Sequence, residues 1–158
     1  MNWQEVCGAP HLRNLPFKIE LENSGKIIMS PVSVAHSLFQ GEIAGMLREY
    51  GKKGKVFSEC AIKTGKGVKV ADVAWASGET CKIIRNEMRC SVAPELCIEV
   101  LSDSNTPEEI EEKKALYFEQ GAVEVWLCGQ EGEIEYFDGK GPMANSTLFP
   151  GFEKKIDW

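Results

Sequence analysis

The chain's 158 residues suit one domain with a single core, and a composition of 43% hydrophobic and 27% charged residues is that of a globular protein, not a disordered one. No apolar run approaches the roughly 18 to 20 residues of a membrane helix. The start, MNWQEVCGAPHLRNLP, lacks the basic stretch and apolar block of a secretory signal, so a cytoplasmic protein with no membrane partner is expected.

The first 16 residues read as an N-terminal extension of a single domain spanning 1–158. FKIELENSGKIIMS alternates apolar and polar residues about Asn23-Ser24-Gly25, the pattern of a β-hairpin ended by Pro31. VSVAHSLFQGEIAGMLREYG follows with Phe39, Ile43, Met46 and Leu47 at helical spacing and Gly51 as its stop. His36 falls on the same face as Phe39, Ile43 and Leu47 and so points inward. KVFSECAIKTG and GVKVADVAWAS read as two strands joined across the region Lys63 to Gly67, and residues 78–89 as a short helix. After the strand PELCIEVLS comes the best-marked helix: Thr106 and Glu109 form a capping box, Pro107 sits at the first helical position and Gly121 closes the end. AVEVWLCG and GEIEYFDG make a last strand pair across 130–132. The strand-helix-strand run from 95 to 130 implies a right-handed parallel crossover in an otherwise antiparallel sheet. The expected fold class is therefore α/β, with a mixed central sheet flanked by helices.

The net charge of −6 argues against a nucleic-acid partner, but its distribution argues the other way. Arg48 to Arg89 holds ten Lys/Arg against five Asp/Glu, and Cys90 to Trp158 holds five against fifteen. A basic middle leaves one face open to a polyanion such as DNA, through Lys52, Lys53, Lys55, Lys63, Lys66 and Lys69. The same lysines also read as a solvated hairpin. The six cysteines include no C-x-x-C pair and are read as free thiols, with no zinc site.

Two acids are out of place. Glu99 lies between Cys97, Ile98, Val100 and Leu101, and Asp72 between Val70, Ala71, Val73 and Ala74. An ionised carboxylate taken from water without a partner costs several kcal/mol or more. Two of them converging on neighbouring strands require a cation between them, and Mg²⁺ (or Mn²⁺), a hard ion preferring oxygen, suits that place. A lysine from the capped helix can reach the same point. At 100° per residue both Lys113 and Lys114 fall on the apolar face, and geometry does not choose between them. The plain alternative is a structural ion pair of Glu99 with one of these lysines.

ADVAW, then PELCIEVLS, then EEKKALYFEQGAVEVWL, resembles the Uma-type family of restriction-endonuclease-like proteins, part of the PD-(D/E)xK nuclease superfamily. IMSPVSVAHSLFQGEI and the terminal LFPGF are similar to further segments of that family, so the likeness runs from about Ile28 to the C-terminus. The resemblance implies a restriction-endonuclease-like fold and a Mg²⁺-dependent endonuclease acting on DNA. It implies that Asp72 and Glu99 are metal ligands, with the Val100 carbonyl a third. It also implies that Lys113, four residues before Tyr117, is the catalytic lysine, and that His36 supports the site from behind. Three positions depart from the pattern: Leu101 stands where the superfamily has its strand lysine, Ala71 replaces the Pro before the motif Asp, and Gly129 stands where the family often has Asp. The alternative is a catalytically silent nuclease-fold module that binds nucleic acid or another partner. Phe149, Phe152 and Trp158, read as exposed, hint at a homodimer contact.

Overall fold

The structure, a computed structural model, describes residues 1–158. In chain order the elements are α1 (Trp3–Gly8), β1 (Phe17–Glu22), β2 (Ile27–Pro31), α2 (Val34–Tyr50), β3 (Lys55–Thr64), β4 (Gly67–Ala76), α3 (Gly78–Ile84), β5 (Leu96–Val100), α4 (Pro107–Glu119), β6 (Glu124–Cys128), β7 (Ile134–Asp138) and β8 (Gly141–Met143). Helix ends follow local chemistry. The Ser33 side chain accepts from the His36 amide to start α2, and Gly51, at φ 78°, ends it in the left-handed region. Thr106 and Glu109 form the reciprocal box at the start of α4. No helix is long and apolar enough to cross a membrane.

The eight strands form one mixed sheet in the order β2-β1-β4-β5-β6-β7-β8, with β3 also paired to β4. Only β5 and β6 run parallel, joined through α4. Strand alternation divides the core between the two faces. Phe39, Ile43 and Leu47 of α2 pack with Val73, Trp75, Ile98 and Trp126, while Ile110 and Tyr117 of α4 pack with Cys97, Val125 and Leu127. Residues 1–16 also pack onto the sheet: Val6 joins Leu21 and Val68, and Trp3 Nε1 donates to the Met88 carbonyl.

Two expectations change. The helix expected over 78–89 stops at Ile84, because the chain must extend for the Cys90 amide to donate to the Ala61 carbonyl and for the Cys90 carbonyl to accept from the Lys63 amide. Phe149 is fully buried, not exposed, and packs edge-on against Tyr50, Trp75 and Trp126. The buried Glu124 carboxylate seats it there, accepting from Trp126 Nε1, Ser146 Oγ and the amides of Thr147 and Leu148. Phe152 is half-buried against the same core, and of the three aromatics only Trp158 is exposed.

One irregularity in the sheet positions the ionisable side chains. One edge of β4 pairs with β3 along nearly its whole length. The other edge pairs with β1 only at Gly67 and Val68, and with β5 only from Val73 to Trp75. Between those contacts Lys69 to Asp72 face no strand on that side. Buried backbone polar groups need partners, and here side chains supply them. The Val70 amide donates to Glu20 Oε2, and its carbonyl accepts from Lys18 Nζ.

Candidate active site

The gap beside β4 gathers ionisable side chains from five elements. Alternation along β1 sends Lys18 and Glu20 to the same side. Asp72 comes from β4, Glu99 from β5, Lys113 and Tyr117 from α4 (four residues, one turn, apart), and His36 from the first turn of α2. Asp72 and Tyr117 are fully enclosed, and Glu20, Glu99 and Lys113 are each at most 9% exposed.

At the centre is the Lys18 ammonium, 3.1 Å from each of Asp72 Oδ1, Glu99 Oε2 and the Val70 carbonyl. Lys113 Nζ lies 3.0 Å from Glu20 Oε2 and 3.6 Å from Glu99 Oε2. The remaining carboxylate oxygens are also held. Tyr117 donates to Glu99 Oε1 at 2.6 Å, the Val100 amide donates to Asp72 Oδ2 at 2.8 Å, and His36 Nε2 lies 3.3 Å from that same Oδ2. His36 Nδ1 is buried without a partner. Three carboxylates face two ammonium groups, which leaves one negative charge that the two lysines do not balance.

The two acids titrate in opposite directions. Burial would raise the Asp72 pKa, but the His36 hydrogen bond, Lys18 and the Val100 amide outweigh it and hold the carboxyl well below its usual range. Glu99 is raised, chiefly by burial and also by the charges of Asp72 and Glu20, with Lys113 and Lys18 pulling against the shift. Burial opposes the charge on Lys18, yet the Glu99, Asp72 and Glu20 carboxylates together raise its pKa. Tyr117 is raised well above its ordinary value by burial and by the Glu99 charge, so its hydroxyl stays a donor.

The structure thus places Asp72, Glu99, Lys113 and His36 in one cluster. It also separates the two lysines that the helical wheel left equivalent. Lys113 enters the cluster, whereas Lys114 lies 3.7 Å from the centre of the Phe137 ring and pairs with Glu111. Val100 contributes its amide to Asp72, and the carbonyl at the centre of the cluster is that of Val70. The stretch FKIELE carried the missed residues Lys18 and Glu20. Its alternation was legible, but in sequence it looks like an ordinary solvated strand. At Gly129 a Cβ would collide with the Glu133 carboxylate, so the missing side chain makes room for that acid.

The six basic-region lysines do not form one patch. Lys55 and Lys63 stand eight residues apart on β3, roughly 26 Å at strand rise. Lys53 is exposed. Lys52 donates to the Leu148 carbonyl and covers the Trp75 and Phe149 rings, and Lys66 pairs with Glu112. Lys69 alone lines the cleft beside the cluster. That cleft is about 440 Å³, with Glu20, Lys113 and Asn105 in its wall and Glu108, Glu109 and Glu112 along α4. A smaller cavity of about 20 Å³, bounded by Lys18, His36, Glu99, Ser102 and Lys113, has room for about one water.

The oxygens fit a hard divalent ion. Asp72, Glu99 and the Val70 carbonyl already converge on one cation, and all three are the oxygen donors such ions prefer. No group of three or more His, Cys, Asp or Glu side chains forms a ready-made cage, so solvent or substrate oxygens would complete the coordination.

The Uma2 family profile, described as "Putative restriction endonuclease", matches residues 3–147. The chain belongs to the Uma2 family. No curated protein matches it. Among solved structures it is similar to a "putative nuclease belonging to DUF820" from Anabaena variabilis, with a TM-score of 0.69 and 20% identity over 87% of this chain and 79% of that one. At that identity the likeness concerns the fold, a nuclease-like mixed sheet flanked by helices. This Uma2 chain thus joins a restriction-endonuclease-like family to a buried acid–lysine cluster at a gap in its sheet.

Proposed function

We propose that this Uma2 protein is a Mg²⁺- or Mn²⁺-dependent endonuclease that hydrolyses DNA phosphodiester bonds at the Asp72–Glu99–Lys113 cluster. The observation that carries the reading is the convergence of Asp72, Glu99 and the Val70 carbonyl on one cation, beside Lys113 and a cavity the size of a water. Asp72 and Glu99 would hold the ion, which when bound supplies Lewis-acid stabilisation of charge on the phosphoryl oxygens. Tyr117 fixes one Glu99 oxygen so that the other faces the centre, and His36 and the Val100 amide do the same for Asp72. Lys113, at the junction of cavity and cleft, is placed to orient a water and to offset negative charge on the phosphate. Lys69 offers a backbone-phosphate contact in the cleft.

The test is nicking of supercoiled plasmid with Mg²⁺ or Mn²⁺. Asp72→Asn and Glu99→Gln should lose cleavage while retaining the parent's circular dichroism. If both cut as well as the parent, the site assignment is wrong. A second reading, a silent module that binds another partner without cutting, draws on the acidic wall of the cleft, which repels a polyanion. It predicts no nicking and no tight DNA binding in either metal.

A further inference from the structure

We propose that Lys18 is a tethered cation occupying the metal position, and that a divalent ion enters only by displacing it. The inference rests on the reading of Asp72 and Glu99 as metal ligands and concerns how that site is controlled.

The Lys18 ammonium and a divalent ion compete for the same oxygens. Nζ sits 3.1 Å from Asp72 Oδ1, Glu99 Oε2 and the Val70 carbonyl, a hydrogen-bonding distance. Mg²⁺ binds oxygen at roughly 2.0–2.1 Å, so ion and ammonium exclude one another at that point. Charge favours the exchange. With Lys18 in place, three carboxylates face Lys18 and Lys113 and one negative charge is left over. With a divalent ion in its place, the same carboxylates and Lys113 are neutral overall.

The strand carrying Lys18 is built to let it leave. β1 is laddered to β4 only at Leu21 and Glu22, so from Phe17 to Glu20 its polar ties to that strand are made by the side chains of Lys18 and Glu20, while Ile19 packs on the apolar cluster around Val68. On its other side β1 pairs with β2, an edge strand. Withdrawing Lys18 therefore breaks no β1–β4 backbone bond. Its head group already borders the small cavity beside Ser30, Pro31 and Asn105, residues that also line the larger cleft.

A competitor that fills its site weakens apparent affinity in proportion to the fraction of time the site is free. If Lys18 is withdrawn in about a tenth of molecules or fewer, removing its charge should strengthen metal binding roughly tenfold or more. The experiment is calorimetric titration of Mn²⁺ into the full chain, with melting curves in parallel, for the parent, Lys18→Met and Asp72→Asn. Lys18→Met should bind Mn²⁺ about tenfold tighter than the parent. Without metal it should melt lower than the parent, because the carboxylates lose their cation, and Mn²⁺ should raise its melting temperature by more. Asp72→Asn should bind poorly. If the parent binds Mn²⁺ and Lys18→Met binds no tighter, Lys18 is not a competitor, while the metal site stands. If neither binds, the metal reading falls and this inference with it. Should Lys18→Met not fold, Lys18→Gln, which keeps a donor for the Val70 carbonyl, carries the same comparison.

Discussion

Replacing Tyr117 by Phe asks whether Glu99 is held as a buried charge. The Tyr117 hydroxyl donates to Glu99 Oε1 at 2.6 Å, and the ring is fully enclosed between α4 and the sheet. Phe keeps the ring's shape, so the packing loss is small and the change isolates one hydrogen bond. A bond to a charged acceptor contributes about 1.5–3 kcal/mol net, against roughly 0.5–1.5 kcal/mol between neutral groups. Tyr136→Phe is the internal control, because that hydroxyl donates to the neutral carbonyls of Phe152 and Glu153. Urea unfolding near neutral pH should therefore show Tyr117→Phe losing about 1.5–3 kcal/mol and Tyr136→Phe about 0.5–1.5. At about 2–4 °C per kcal/mol for a chain of this size, the Tyr117 variant should melt roughly 3–12 °C below the parent. A Tyr117→Phe loss under about 0.5 kcal/mol, or one smaller than that of Tyr136→Phe, would refute the reasoning. Tyr117 would then not be supporting a buried carboxylate.

Two further outcomes follow from buried groups outside the cluster. Glu124→Ala strips the acceptor from Trp126 Nε1, Ser146 Oγ and the Thr147 and Leu148 amides, and should cost about 3 kcal/mol or more in urea unfolding. Glu124→Gln, which keeps one acceptor oxygen, should cost less. Alkaline stability provides a pH test. Burial, aided by the Glu124 and Glu153 charges, pushes the Tyr136 phenol up to about 12. Between its ordinary value near 10 and that pH the unfolded chain has lost the proton and the folded chain keeps it. Stability therefore falls as pH rises through this window. Tyr136→Phe should flatten that fall by up to one proton, read from urea midpoints at about pH 9 and pH 11. An unchanged slope would show that this hydroxyl titrates alike in both states.

Much of the molecule was legible because its signals are local. The alternation of FKIELENSGKIIMS, the Thr106–Glu109 box and the stop at Gly51 each arise from residues within a few positions of one another, and each element stands where the pattern put it. The acids at 72 and 99 were conspicuous for the same reason, each interrupting an apolar strand. The two lysines of α4 were not separable, since their headings both lie within the apolar face. The Phe137 ring, from a strand outside the helix, draws Lys114 away. The Phe149 reading failed because nothing in LFPGF reveals that Glu124, more than twenty residues earlier, seats that segment in the core.

By itself the sequence determined most of the elements, though not α1, β8 or the end of α3, together with the crossover between β5 and β6 and the presence of two acids that need a cation. Which cation meets them was decided by tertiary structure. β1 and β5 share one edge of β4 without meeting, and the gap between them exposes the Val70 backbone and draws in Lys18 and Glu20. Lys18 reaches Asp72 and Glu99 across 54 and 81 residues of chain. Contacts at such separations are set by strand register and packing, which no local run of residues encodes.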